Sequence, residues 1–281
     1  MKLLKKIILI LIFSFDFFFK LKKKDNLFVS FPRSGTFLTI AMINICYSMQ
    51  RGLGKNFSIA DDGYRTFDNL AYPFDERSIF VNNKNTFPKI ENDKVLWHSH
   101  MPYNKIVPLR KKYCKIVVLV REPVENIKSN LIRLLRQEKK NFGNKISFEE
   151  FKRLDKKYDL LTYFNNYCES WFKLKQKNKI SKPLNELFIF NLKTIQKNKK
   201  SYLKFLNNFY NFNFNDEQIN YATEQLDLEN VKKKLSANTI RITNADVDFS
   251  QDIDEFINLK CSNSYEKIMK FSDDKILEKN V

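Results

Sequence analysis

The sequence predicts an α/β fold, a three-layer sandwich in which a mostly parallel sheet carries helices on both faces. Two observations predict it. Leu27-Phe28-Val29-Ser30-Phe31, Ile116 to Val120 and Leu187-Phe188-Ile189-Phe190 are short, nearly unbroken apolar runs, the pattern of strands covered on both sides. Each run leads into a segment whose apolar residues recur at helical spacing. With 281 residues, 43% of them hydrophobic and 15% aromatic, the chain can bury one substantial core but is short for two full-sized domains of this class. Residues 25–281 are therefore read as one domain and residues 1–24 as an extension.

The extension holds an apolar stretch, Ile7 to Phe19, broken by Ser14 and Asp16 and flanked by Lys5, Lys6 and the segment Lys20 to Lys24. It falls short of the roughly 20 apolar residues that cross a bilayer. No small-residue cleavage site follows it. Basic flanks around a short apolar segment suit an interfacial helix, so the expectation is a cytoplasmic protein with peripheral membrane contact through residues 1–24 as the alternative.

The first strand runs directly into Pro32-Arg33-Ser34-Gly35-Thr36, and Phe37 to Ser48 is apolar and helix-compatible. A strand, a tight loop and a helix start aim backbone N–H groups and the positive helix end at an anion. Arg33 adds a fixed guanidinium fork, and Ser34 and Thr36 add hydroxyl donors. From Gly52 to Pro88 the chain is polar and irregular, with Asp61-Asp62-Gly63 as a turn. Such insertions lie near strand ends in α/β sheets, which makes this one a candidate for acceptor recognition.

A short apolar stretch from Val95 leads to Trp97-His98-Ser99-His100-Met101-Pro102, which contains both histidines of the chain. An imidazole, with an ordinary pKa near ~6.5, can take a proton at neutral pH. The strand Lys115 to Val120 ends in Arg121-Glu122-Pro123, and proline suits the first position of a helix. Val124, Ile127, Leu131, Leu134 and Leu135 continue at helical spacing, and Ser129 lies eight residues beyond Arg121.

The rest reads as helical cover around one more strand. Ser147-Phe148-Glu149-Glu150 is a capping-box pattern. Leu160, Leu161, Phe164, Tyr167, Cys168, Trp171 and Phe172 form an i, i+3, i+4, i+7 stripe, which is core rather than pocket. After the Leu187 to Phe190 strand, Tyr202, Leu203, Phe205, Leu206, Phe209 and Tyr210 mark a further helix, and Asn215-Asp216 caps another through Leu226.

Cys46, Cys114, Cys168 and Cys261 are widely spaced, which fits reduced, buried thiols and neither a disulfide framework nor a zinc site. No His, Cys or carboxylate cluster has metal-ligand spacing. The formal charge of +18 would concentrate a multiply charged anionic substrate, and equally suits nucleic acid or an anionic membrane. The Lys193 to Lys200 run is read as a solvated face, and no specific nucleic acid is expected.

Three segments together resemble the sulfotransferases that use 3′-phosphoadenosine 5′-phosphosulfate (PAPS). Pro-Arg-Ser-Gly-Thr after a hydrophobic strand resembles their 5′-phosphosulfate loop. The run Cys114 to Ser129, with Arg121 at a strand end and Ser129 eight residues on, resembles their 3′-phosphate segment. Ser99-His100-Met101-Pro102 resembles the Thr-His-Leu-Pro that carries the catalytic base. The resemblance implies a P-loop NTPase-like α/β fold and PAPS as co-substrate, without a metal. It implies Arg33, Ser34, Gly35, Thr36 and Phe37 at the 5′ end of the donor and Arg121 and Ser129 at its 3′-phosphate. His100 would be the base, with His98 the weaker candidate, and Arg33 would stabilise developing charge. Phe37 and Leu38 stand where many relatives carry Thr and Trp, and Asn191-Leu192-Lys193 replaces a Tyr-Glu-Asp sequence. The family's C-terminal Arg-Lys-Gly-x-x-Gly loop has no counterpart, because no glycine follows Gly143; Arg241, within Thr239 to Asn244, is its partial substitute. The acceptor is left open as a hydroxyl or amine of unknown class.

Two rival readings remain at this level. A P-loop kinase would need Gly-Lys-Ser/Thr, whereas Gly35 is followed by Thr36. A non-catalytic descendant binding polyanions or nucleotides would fit the missing glycine loop.

Overall fold

The computed structural model describes residues 26–50, 96–100, 102–103, 115–138, 145–180, 186–227 and 247–278. The extension 1–24, the Gly52 to Pro88 insertion, Cys114 and Arg241 lie outside them.

Strands β1 (Asn26–Ser30), β2 (Leu96–Ser99), β3 (Lys115–Val120) and β5 (Glu186–Asn191) form a parallel sheet in the order β2-β1-β3-β5. The unbroken apolar runs are explained by the two-residue alternation of a strand between two layers. Leu27, Val29, Ile116, Val118, Leu187 and Ile189 point into one core, and Phe28, Val117, Leu119 and Phe190 into the other.

The first layer consists of α2 (Pro123–Gln137), α3 (Phe148–Tyr158), α4 (Leu160–Ile180) and α8 (Gln251–Met269). The second contains α1 (Thr36–Gln50), α5 (Leu192–Lys197), α6 (Lys199–Tyr210), α7 (Asp216–Gln225) and the short α9 (Lys275–Glu278). Pro123 opens α2 as expected. Ser147 caps α3 by accepting the Glu150 N–H, and Asn215 with Gln218 forms a complete capping box on α7. The aromatic stripe of α4 is core: Phe164, Tyr167, Cys168 and Trp171 are all buried. Phe31, at the exit of β1, packs against Tyr163, Phe164 and Tyr167, so α4 holds the point where the loop begins.

Two features had no sequence signal. Strands β4 (Lys145–Ile146) and β6 (Asp248–Phe249) form a second, two-stranded parallel pair that ties the start of α3 to the start of α8. The open edge of β5 is covered by the C-terminal segment. The Asp273 N–H donates to the Ile189 carbonyl at 2.8 Å, and the Asp273 carboxylate accepts the Ile189 N–H at 2.9 Å. Asp274 Oδ1 accepts the Asn191 N–H at 2.9 Å, so an edge that would otherwise invite pairing is satisfied within the chain.

Candidate active site

The strand order brings the C-terminal ends of β1, β2 and β3 together, and three separated sequence segments meet there. Crevices at this end of a parallel sheet are where α/β proteins hold ligands.

The loop Phe31–Gly35 is shaped by its own backbone. The Ser34 N–H closes a turn on the Phe31 carbonyl at 3.0 Å, and Arg33 and Gly35 both adopt positive φ, 70° and 98°. A positive φ is costly for arginine and marks a backbone held by its surroundings. The turn takes one amide out of the donor set. Ser34's amide points back into the loop, so only its hydroxyl remains as a donor, while Gly35 and Thr36 lie ahead of the first intrahelical bond of α1, Thr39 N–H to Gly35 O. Thr36 Oγ1 pairs with Ser30 Oγ at 2.5 Å. Phe37 is half-buried in the second core layer.

Arg33 and Ser129 lie 96 positions apart in sequence, yet Arg33 Nε donates to Ser129 Oγ at 2.9 Å. Ser129 is buried, not a helix-surface serine. Arg121 reaches the same place from the end of β3: its Nη1 donates to the Arg33 carbonyl at 3.3 Å. Its Nε and Nη2 both donate to Glu125 Oε2, at 3.1 and 2.9 Å. Glu125 is 62% exposed, and an exposed i, i+4 pair contributes about 0.3–0.5 kcal/mol, so it holds the Arg121 guanidinium only weakly. Two guanidinium groups and the hydroxyls of Ser34, Thr36 and Ser129 form a donor set suited to a nucleotide with phosphates at two positions.

His100 stands beside this loop. Its Nδ1 is 2.7 Å from the carbonyl of Ser30, the residue whose hydroxyl pairs with Thr36. A carbonyl only accepts, so Nδ1 is the protonated nitrogen, and in the neutral ring the lone pair resides on Nε2. The Tyr163 hydroxyl donates to the His100 carbonyl at 2.9 Å and fixes the backbone on the other side. His98 is part of β2, opposite Phe28 in the register. Burial pushes the Tyr167, Tyr202 and Tyr265 phenols above their usual range, with nearby Glu122 adding to the effect at Tyr265, so all three stay protonated at neutral pH. None competes with the imidazole as a base.

The motifs did not mark Asn126. This α2 residue is completely buried, and its Nδ2 donates to the Pro32 carbonyl at 3.0 Å and to Ser34 Oγ at 2.8 Å. Its amide oxygen is buried without a partner among the described residues, a condition that costs about 1–3 kcal/mol. The available signal was an asparagine one turn from Ser129 and Asn130 on an otherwise apolar helix face.

A family model described as a sulfotransferase domain matches residues 23–279. The chain belongs to the PAPS-dependent sulfotransferase family. Solved structures agree on the fold of this sulfotransferase. It is similar to mouse sulfotransferase SULT7A1 complexed with PAP, at 17% identity and a TM-score of 0.53, covering 92% of this chain and 89% of that one. It is also similar to retinol dehydratase in complex with androsterone and the inactive cofactor PAP, at 14% identity and a TM-score of 0.50, covering 90% and 82%. No curated protein sequence matches the chain. Among the described residues, no helix is long and apolar enough to cross a membrane, and no group of three or more His, Cys, Asp or Glu is placed to hold a metal.

Proposed function

We propose that this sulfotransferase moves a sulfuryl group from PAPS to a hydroxyl or amine of its acceptor, with His100 as general base. The observation that supports it is the junction of Arg33, Ser129 and Arg121 on one loop, with the His100 ring on the strand residue that feeds that loop. Two fold neighbours hold PAP, the desulfated donor, which fits the same reading.

When bound, PAPS supplies the sulfuryl group and a nucleotide phosphate as leaving group. Arg121 and Ser129 are assigned to the 3′-phosphate, which separates this donor from ordinary adenine nucleotides. Arg33 and the amides of Gly35 and Thr36 hold negative charge at the 5′ end, where preorganised donors lower the barrier most. The Nδ1–H to Ser30 bond fixes the tautomer of His100, so Nε2 accepts the proton of the acceptor as the new bond to sulfur forms. The Ser30 carbonyl keeps the ring from turning away, and Tyr163 holds the His100 backbone.

Release of PAP from PAPS in the presence of phenol, alcohol, sugar and amine acceptors, with wild-type protein and His100→Ala, tests this reading. A missing general base costs about a hundredfold or more in turnover while PAP affinity stays near wild type. Undiminished turnover in His100→Ala would remove the base assignment. PAPS turnover with no acceptor class, together with indiscriminate binding of polyanions, would favour a binding protein.

A further inference from the structure

Asn126 joins the two anion-binding segments. It lies on α2, five residues after Arg121 and three before Ser129. Both hydrogens of its Nδ2 are committed to the loop, one to the Pro32 carbonyl and one to Ser34 Oγ. Because the Pro32 carbonyl only accepts, it dictates which way the amide faces and leaves Oδ1 on the buried, unpartnered side. A leucine would fill this volume without stranding an oxygen. What the amide alone supplies is the pair of bonds to the loop.

The bond to Ser34 has a directional consequence. With Ser34 Oγ accepting from Asn126, and its backbone N–H already turned onto Phe31, the hydroxyl proton is the one donor left to this fully buried serine. The helix that places Asn126 meets the same loop again through Arg33 and Ser129.

We infer that Asn126 is a positioning residue that holds the Pro32–Ser34 turn and orients the Ser34 hydroxyl toward the 5′ end of an adenosine bisphosphate, while Arg121 and Ser129 serve the 3′ end. The inference rests on the proposed function in taking that nucleotide as the ligand. It deepens that reading by making one helix responsible for both ends of the donor.

The test is calorimetric binding of adenosine 3′,5′-bisphosphate and of adenosine 3′-monophosphate to the full-length protein. Wild type is compared with Asn126→Leu, Ser34→Ala and the double variant. Asn126→Leu is expected to weaken the bisphosphate about tenfold and the 3′-monophosphate less than about twofold. The double variant is expected to bind no more weakly than the worse single one, because both remove the same contact. Equal losses for the two ligands, no loss, or additive losses would overturn the inference. Should leucine abolish the wild-type melting transition, the same two-ligand comparison in Ser34→Ala decides: a loss confined to the bisphosphate upholds the inference, and an equal loss overturns it. Wild-type protein that does not prefer the bisphosphate would overturn the functional reading itself. Wild-type preference with an unaffected Asn126→Leu would overturn only the role of Asn126.

Discussion

Replacing Gly35 with alanine tests how tightly the loop is constrained. Gly35 has φ 98°, and a Cβ built there would lie 2.7 Å from Leu192 Cδ1 and 3.5 Å from Leu119 Cδ1. Positive φ costs an L-residue about 1–2 kcal/mol. Leu192 and Leu119 are both buried, so the methyl group enters a filled space, which adds about 1–3 kcal/mol of overpacking. The sum, about 2–5 kcal/mol, corresponds to a fall in melting temperature of roughly 3–9 °C for a chain of this size. The strain sits between Ser34 and Thr36, so PAP affinity falls with it. Thermal melts and PAP titrations of Gly35→Ala, Leu192→Ala and the double variant separate the two costs. Leu192→Ala relieves the collision but not the dihedral, so the double variant is expected to be less destabilised than the sum of the singles by about 1 kcal/mol or more. A Gly35→Ala protein that melts within about 2 °C of wild type and binds PAP equally well would refute this account of the loop.

Two further outcomes follow from buried titratable groups. Burial pushes the Cys46 and Cys261 thiols up to about 12 and raises Cys168 as well, so iodoacetamide at pH 8 should leave these three unmodified in the folded protein and react with them on denaturation. Peptide mapping that finds any of the three rapidly alkylated in the native state would contradict their placement. The Asp274 carboxyl is raised, chiefly by burial, so the unfolded chain gives up this proton at lower pH than the folded one does. Stability tied to the group is therefore full below the unfolded carboxyl pKa and lost as pH rises through the folded value. Asp274→Asn should gain stability relative to wild type across that window and hold the gain above it. Denaturant melts showing the difference shrinking with rising pH would reverse the sign.

Three strands of the main sheet and most helices were legible because local chemistry announces them. The apolar runs could only belong between two layers, Pro123 stood at a helix start, and Asn215-Asp216 marked a cap. Arg33, Arg121 and Ser129 were legible as candidates through motif spacing, and their meeting on one loop follows from the parallel β1–β3 pairing. What spacing could not carry were bonds from polar side chains to distant backbone groups. Asn126 to Pro32, Tyr163 to His100 and the Asp273 clamp on β5 join residues 63 to 94 positions apart, with no periodicity to mark them. The turn that takes Ser34's amide out of the donor set was hidden for a different reason. It depends on the positive φ of Arg33 inside the Phe31–Ser34 turn, and Arg33 gives no sign of such a conformation in sequence. The β4–β6 pair is two residues on each side, too short for any strand pattern to register.

Calorimetric titration of the full-length protein with PAP and with adenosine 5′-monophosphate, alongside Arg121→Ala, tests the donor site without requiring an acceptor. The account predicts that PAP binds wild type about a hundredfold or more tightly than the monophosphate, and that Arg121→Ala loses most of this preference while retaining its fold. Equal affinity for the two nucleotides in wild type, or a preference unchanged in Arg121→Ala, would contradict it.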